Sequence, residues 1–319
     1  MSNKHYINGL WLGLFGGILW GVDTVLIGII LGQPILSTSL FLAPLVVTFL
    51  HDAFSSLWMS IHIILSGKLK LLRDTLRNTT SRFIVLAGIF GGPLGMTGYM
   101  MAIYYIGPSY TAIISATYPA IGAILSVFLL KEKLTIKMGI GLSMTIFATM
   151  LLGFNSSEPA NNLIFGFFFA ILCAIGWGTE SVISAHGMSD NIVPAIALYL
   201  RQTTSAIVFA FIIIPLISGY ELVKLIFNHS LVISIFLTAL AGTISYLFYY
   251  TSIHRVGPIR AMGLNISYSA WAILISLCLG FSVSLREFGL ACIIICGSLL
   301  TTNRPKEFLQ LLDFKRKDI

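Results

Sequence analysis

The sequence predicts an all-α membrane protein: ten transmembrane helices in two inverted five-helix repeats, with both termini cytoplasmic. Three observations lead there. The first is composition: of 319 residues, 57% are hydrophobic and 10% charged, and mean hydropathy is +0.93, outside the range of soluble globular domains. The second is a series of apolar runs at 9–31, 39–65, 82–106, 109–130, 136–154, 163–185, 193–217, 230–253, 258–280 and 284–302. Each is close to the roughly 20 residues that a bilayer-crossing helix needs. The third is internal repetition. Leu19-Trp20-Gly21-Val22-Asp23-Thr24-Val25 returns as Gly176-Trp177-Gly178-Thr179-Glu180-Ser181-Val182, and Ile106-Gly107-Pro108 returns as Val256-Gly257-Pro258.

Tyr118 and Tyr268 keep the 150-residue offset of the Gly-Pro pair. The chain therefore divides into repeats at 9–154 and 163–303, followed by a basic tail at 304–319. Asn155-Ser156-Ser157-Glu158-Pro159-Ala160-Asn161-Asn162, polar and turn-rich, links the two repeats. Because five is odd, the second repeat enters the membrane in the opposite orientation. Inverted repeats of this kind mark transporters, with the substrate site near the midplane where the repeats meet.

The net charge of +7 does not point to nucleic acid once its distribution is considered. With the N-terminus inside, of nineteen Lys and Arg only Lys224 and Arg286 fall outside, and Arg201 falls within a span. This is the positive-inside pattern. The first span begins near Gly9 and runs too far for a cleaved signal peptide. Cys173, Cys278, Cys292 and Cys296 lie within spans, where buried packing is the expected role. No metal site and no cofactor are expected. A membrane-embedded enzyme is disfavoured as well, since the chain has no His-Glu-x-x-His motif and no nucleophile elbow.

The repeated Trp-Gly pair in spans one and six, together with Leu129-Leu130-Lys131-Glu132-Lys133-Leu134 at the end of span four, resembles the drug/metabolite transporter superfamily, EamA-like. The resemblance covers almost the whole chain. One departure is Gly280-Phe281-Ser282-Val283-Ser284-Leu285, which lacks the acid that usually recurs at the end of span nine. A narrower resemblance is to bacterial LicB-type choline permeases. It rests on Cys173-Ala174-Ile175 leading into the second Trp-Gly motif, on Leu200-Arg201-Gln202-Thr203-Thr204-Ser205, on Ile244-Ser245-Tyr246-Leu247-Phe248-Tyr249-Tyr250, and on Gly263-Leu264-Asn265-Ile266-Ser267-Tyr268-Ser269-Ala270-Trp271. The resemblance implies a multi-pass permease of the bacterial cytoplasmic membrane that imports choline. An exporter of drugs, amino acids or other small metabolites is the alternative within the same superfamily.

A quaternary ammonium has no N–H to donate, so aromatic faces and a nearby carboxylate must hold it. The candidate cage residues are Trp20, Tyr118, Trp177, Tyr246, Tyr250, Tyr268 and Trp271. Asn265, Tyr268 and Trp271 step by three along one side of span nine. Asn265 either hydrogen-bonds the choline hydroxyl or bridges helices. Among the intramembrane charges, Glu180 shares a face with Trp177, and Asp23 is its counterpart beside Trp20. A buried Arg201 needs an acid. Either Asp52 pairs with it and frees Glu180 for substrate, or Glu180 is its structural partner. His51, next to Asp52, is either part of a proton relay or structural. Protons are one candidate coupling ion and the membrane potential is the other driving force.

Overall fold

In a computed structural model the described residues are 3–37, 41–153, 162–189 and 192–302. The tail at 304–319 and all of the linker but Asn162 lie outside them. Ten long helices run through the described residues: helix 1, Asn3–Leu31; helix 2, Leu42–Leu65; helix 3, Ser81–Gly107; helix 4, Tyr110–Leu129; helix 5, Ile136–Gly153. Helix 6 is Leu163–Met188, helix 7 Pro194–Leu216, helix 8 Leu231–Val256, helix 9 Pro258–Cys278 and helix 10 Leu285–Thr301. Nine of them are long and apolar enough to cross a membrane; helix 10 is the shortest at 17 residues. No strand occurs among the described residues. This is a multi-pass membrane protein. Its outer surface agrees, with Phe128, Phe168, Phe211, Ile164 and Leu237 all more than half exposed.

The apolar runs mark the helices to within a few residues, but not their interruptions. Helix 4 breaks at Ala116-Thr117 and helix 9 at Ile266-Ser267, so Tyr118 and Tyr268 each begin a new helical segment. Helix 3 widens into a π-turn at Phe90–Leu94, and helix 7 does so at Phe209–Ile213. In helix 3 the cause is Pro93, which has no N–H to give and forces the ladder to open. In helix 7 Pro215 stands two residues after the wide turn. Both Gly-Pro junctions have the same backbone: Gly107 at φ 78°, ψ 164° and Gly257 at φ 86°, ψ 158°. That region is open essentially to glycine alone.

The packing partners also recur across the halves. Helix 1 lies along helix 8 and helix 3 along helix 6, while helix 4 packs on helix 6 and helix 1 on helix 9. Helix 5 crosses helix 10 where Gly141 and Gly297 face each other, each so close to the other's carbonyl oxygen that a Cβ would stand 2.6–2.8 Å from it. In lipid, where helix association gains nothing from expelling water, such close backbone approach supplies the dispersion energy. Two short helices, Leu69–Arg77 and Tyr220–Phe227, sit in the matching connections before helices 3 and 8.

One expectation is corrected. Of the cysteines only Cys173 is buried; Cys278, Cys292 and Cys296 are exposed. In an apolar bundle half of each helix faces lipid rather than core, so position within a span does not imply burial. Among the described residues no cluster of His, Cys, Asp and Glu suits a metal ion.

Candidate functional site

The centre of the bundle holds five ionisable side chains, none more than 7% exposed: Asp23, His51, Asp52, Glu180 and Arg201. They form one connected chain across helices 1, 2, 7 and 6. His51 Nε2 is 3.0 Å from Asp23 Oδ1, and His51 Nδ1 is 3.8 Å from Asp52 Oδ1. Asp52 Oδ2 accepts hydrogen bonds from Ser205 Oγ at 2.5 Å and Arg201 Nη1 at 3.4 Å. Arg201 then grips Glu180 with both edges, Nε to Oε1 at 2.7 Å and Nη2 to Oε2 at 3.4 Å. Two parallel bonds of this kind hold a carboxylate in direction as well as place. Tyr250 OH donates to Glu180 Oε1 at 3.0 Å, and Gln202 Oε1 accepts from Arg201 Nη1 at 2.6 Å.

Helix 3 makes room for this arrangement. Its wide turn presents Gly91 and Gly92, and a Cβ on Gly91 would overlap the Glu180 carboxylate while one on Gly92 would overlap the Ser205 hydroxyl. Only bare backbone fits between the two acids and helix 3. The π-turn and its glycines therefore position the ion pair rather than decorate it.

A cavity of about 60 Å³ opens beside Glu180. Trp20, Tyr118, Trp177, Tyr246, Asn265 and Tyr268 line it, and so do Met96, Ser181, Ser245 and Tyr249. It continues into a wider vestibule of about 320 Å³, bounded by Asp23, His51, Asp52 and Arg201 on one side and Met96, Tyr99 and Trp177 on the other. The vestibule rises past Ile27, Leu31, Pro44 and Ile103, away from the end of the molecule that carries the N-terminus. Trp177 and Tyr268 border both spaces and a third, of about 160 Å³, between helices 4, 5 and 9. The rings are set edge to face: Trp20 against Tyr246 with centroids 4.7 Å apart, and Trp177 against Tyr118 at 5.9 Å.

Seven of the nine candidate binding residues thus border the inner cavity, Glu180 among them. Tyr250 and Trp271 do not. Tyr250 is fully buried behind Glu180, which it orients from a second hydrogen bond with Ser184 at 3.0 Å. Trp271 turns to Ser267, to which its Nε1–H donates at 3.2 Å, and lies over Gly21 of helix 1. Asn265 Nδ2 donates to Tyr118 OH at 3.4 Å while bordering the cavity, so it bridges helices and faces the space at once. The two rival pairings of Arg201 also prove compatible, since it holds Glu180 and Asp52 together. One face of Tyr246 is already occupied: the Arg201 guanidinium lies 4.9 Å from its ring centroid.

The sequence reading left out Met96, Tyr99 and Tyr249. The repeat contains the signal: subtracting the 150-residue offset from Tyr246 and Tyr249 lands on Met96 and Tyr99. The same offset sets His51 against Arg201, Asp52 against Gln202 and Ser55 against Ser205.

At the end that carries the N-terminus, the close of helix 4 is tied to the start of helix 9. Glu132 Oε1 accepts from Arg260 Nη1 at 3.1 Å, and Glu132 Oε2 caps the start of helix 9 by accepting from Ile259 N–H at 3.3 Å. Burial pushes the Glu132 carboxyl above its ordinary range, against the pull of the Ile259 N–H and Arg260. Tyr6 lies over Arg260, centroid 5.9 Å from the guanidinium, and its hydroxyl donates to the Thr302 carbonyl at 3.1 Å. The positions 150 residues away hold Ser282 for Glu132 and Tyr110 for Arg260, so no such clamp is repeated there.

Charge decides what this centre can accommodate. Three carboxylates face one guanidinium and one imidazole. With the acids ionised, the cluster keeps at least one net negative charge whether or not His51 is protonated. A site of that sign, walled by ring faces, suits an organic cation.

Comparison with known proteins agrees with this architecture. Protein LicB from Haemophilus influenzae is 35% identical over 190 residues, 59% of this chain and 63% of that protein, so the match spans less than two thirds of LicB. A solved crystal structure superposes with a TM-score of 0.70 over 93% of this chain and 98% of its own; at 17% identity that likeness speaks for the fold alone. The EamA-like transporter family matches residues 7–154 and again 164–303. The chain belongs to the EamA-like transporter family.

Proposed function

We propose that this protein is a secondary transporter that imports choline by alternating access. The observation that carries the reading is the buried cluster of three acids against one guanidinium and one imidazole, with Glu180 on the wall of a cavity lined by Trp20, Tyr118, Trp177 and Tyr268 and Asp23 and Asp52 on the adjoining vestibule. A trimethylammonium group fits both features. Each desolvated ring face contributes up to about 2 kcal/mol, and the charge supplies the long-range attraction. Asn265 and Ser181 on the cavity wall offer partners for the choline hydroxyl. The LicB-type motifs of the second half supply much of this lining: Trp177, Glu180, Tyr246, Tyr249, Asn265 and Tyr268.

In this reading helix 10 is the tenth crossing, 9–154 and 163–303 are two repeats related by inversion, and both termini face the cytoplasm of a bacterial cell. The vestibule then opens to the outside and the Glu132–Arg260 clamp closes the inside, the arrangement an importer needs to load. His51, held between Asp23 and Asp52, gives the cluster a group that can carry a proton as the cation moves. The membrane potential adds about 2.3 kcal/mol per 100 mV for each charge.

Radiolabelled choline uptake into proteoliposomes tests this directly. Saturable uptake is expected, with betaine competing poorly because its carboxylate meets a negative site. Absence of saturable uptake, with no thermal stabilisation by choline, overturns the reading. An exporter would instead confer resistance on cells and fail to support growth on scarce choline. Collapsing the pH gradient at clamped potential separates the driving forces: unchanged accumulation excludes proton coupling.

A further inference from the structure

The short helix Leu69–Arg77, which joins helices 2 and 3, carries a surface that the central site does not use. Its sequence, LKLLRDTLR, sorts into three arcs around the helix axis, with its one acid, Asp74, exposed beyond the third, so the helix keeps a surplus of positive charge. One arc faces the protein: Leu71 and Leu72 pack against the core, and Thr75 is 5% exposed. The next is an apolar stripe, Leu69 and Leu76, seven residues apart and 54% and 59% exposed. Beside that stripe run Arg73, Arg77 and Lys70, all exposed and absent from every ion pair among the described residues. The exposed Ile64 and Leu65 end helix 2 just before it.

This order, from packed to apolar to basic, is that of a helix lying at the boundary between acyl chains and headgroups. We propose that Lys70, Arg73 and Arg77 form a binding surface for the phosphate headgroup of an anionic phospholipid, with Leu69 and Leu76 seated among its acyl chains. The counterpart helix Tyr220–Phe227 isolates the basic arc as the feature that matters. It too buries one side, through Leu222 and Ile226, and exposes Tyr220, Leu225 and Phe227. Its charges are Glu221 and Lys224 alone, and they cancel. Packing at such a connection therefore needs no basic arc. Nor does membrane orientation, which depends on the number of positive charges near a span and not on their alignment beside exposed leucines.

The test is native mass spectrometry of the full chain released from nanodiscs of mixed POPC and POPG. Retention of POPG over POPC is expected, together with at least a tenfold loss of that preference in the K70Q/R73Q/R77Q variant, since each basic residue near an anionic surface is worth roughly fivefold. K224Q should leave the preference unchanged. An equal preference in the triple variant and the parent overturns the proposal and leaves these charges with orientation alone. If the triple variant does not fold, R73Q and a salt titration of the parent replace it. Headgroup binding must weaken as salt rises, and a salt-independent preference overturns the proposal.

Discussion

Helices 1 and 2 pair Asp23 with His51 at 3.0 Å, and helices 6 and 7 pair Glu180 with Arg201 at 2.7 Å. The two halves thus build the same device, an acid three residues after a tryptophan answered by a cation on the next long helix. They complete it with different chemistry. In the second half the cation is a guanidinium, charged at any accessible pH, and the neighbouring Gln202 is neutral. Glu180 is balanced there. In the first half the cation is an imidazole, whose charge depends on its proton, and the neighbouring residue is a second acid, Asp52. The surplus negative charge therefore belongs to the first half, while the fixed geometry belongs to the second. At the matching positions, 51 and 52 hold an imidazole and a second acid where 201 and 202 hold a guanidinium and a neutral amide.

Removing the guanidinium attacks the second half hardest. Arg201→Gln strands Glu180 and Asp52 in the interior and is expected to cost about 3–5 kcal/mol, the usual consequence of breaking a buried pair from one side. Thermal unfolding in detergent reads this, and adding Glu180→Gln to the same chain should recover part of the loss. Gly91→Ala comes next. Its Cβ meets the Glu180 carboxylate, so the pair must shift, and choline binding should fall tenfold or more by the roughly 1.4 kcal/mol-per-decade conversion. Binding retained at parental affinity would show that helix 3 yields without disturbing the acid.

Glu180→Gln and Trp177→Ala are each expected to abolish measurable choline binding while the protein stays folded, because Arg201 keeps Asp52 and the three cavities around Trp177 can fill with water. Normal binding in both variants would move the site elsewhere. His51→Gln sharpens the comparison from the other half. It should spare choline binding at constant pH yet remove the response of uptake to a pH gradient at clamped potential; an undiminished response would make His51 structural. The smallest effect is expected for Trp271→Phe, about twofold or less in uptake, since Trp271 packs on Gly21 outside the cavity.

Hydropathy made the helices legible, because a bilayer-length apolar run is a local property of the chain. The Trp-x-x-acid repeat pointed to Trp20, Trp177 and Glu180, all of which border the cavity. Tyr246 and Tyr250, four residues apart, do share a helical face, with ring centroids 6.2 Å apart, but sharing a face does not place both on the cavity. Tyr246 faces the cavity with Tyr249, and Tyr250 stands behind Glu180. His51 was ambiguous for a related reason: whether a membrane histidine is isolated depends on what the next helix brings to it, and Asp23 is 28 residues away.

The sequence by itself determined that this chain lives in a bilayer, that it is duplicated, and which few polar side chains lie deep within it, since solvation cost and periodicity act residue by residue. Tertiary structure decided which of those charges meet. Arg201 reaches Glu180 and Asp52 together only because Gly91, Gly92 and Pro93 open a wide turn in helix 3, and no pattern along the chain states a distance between helices. The cluster of three acids around one guanidinium and one imidazole emerges only from that meeting.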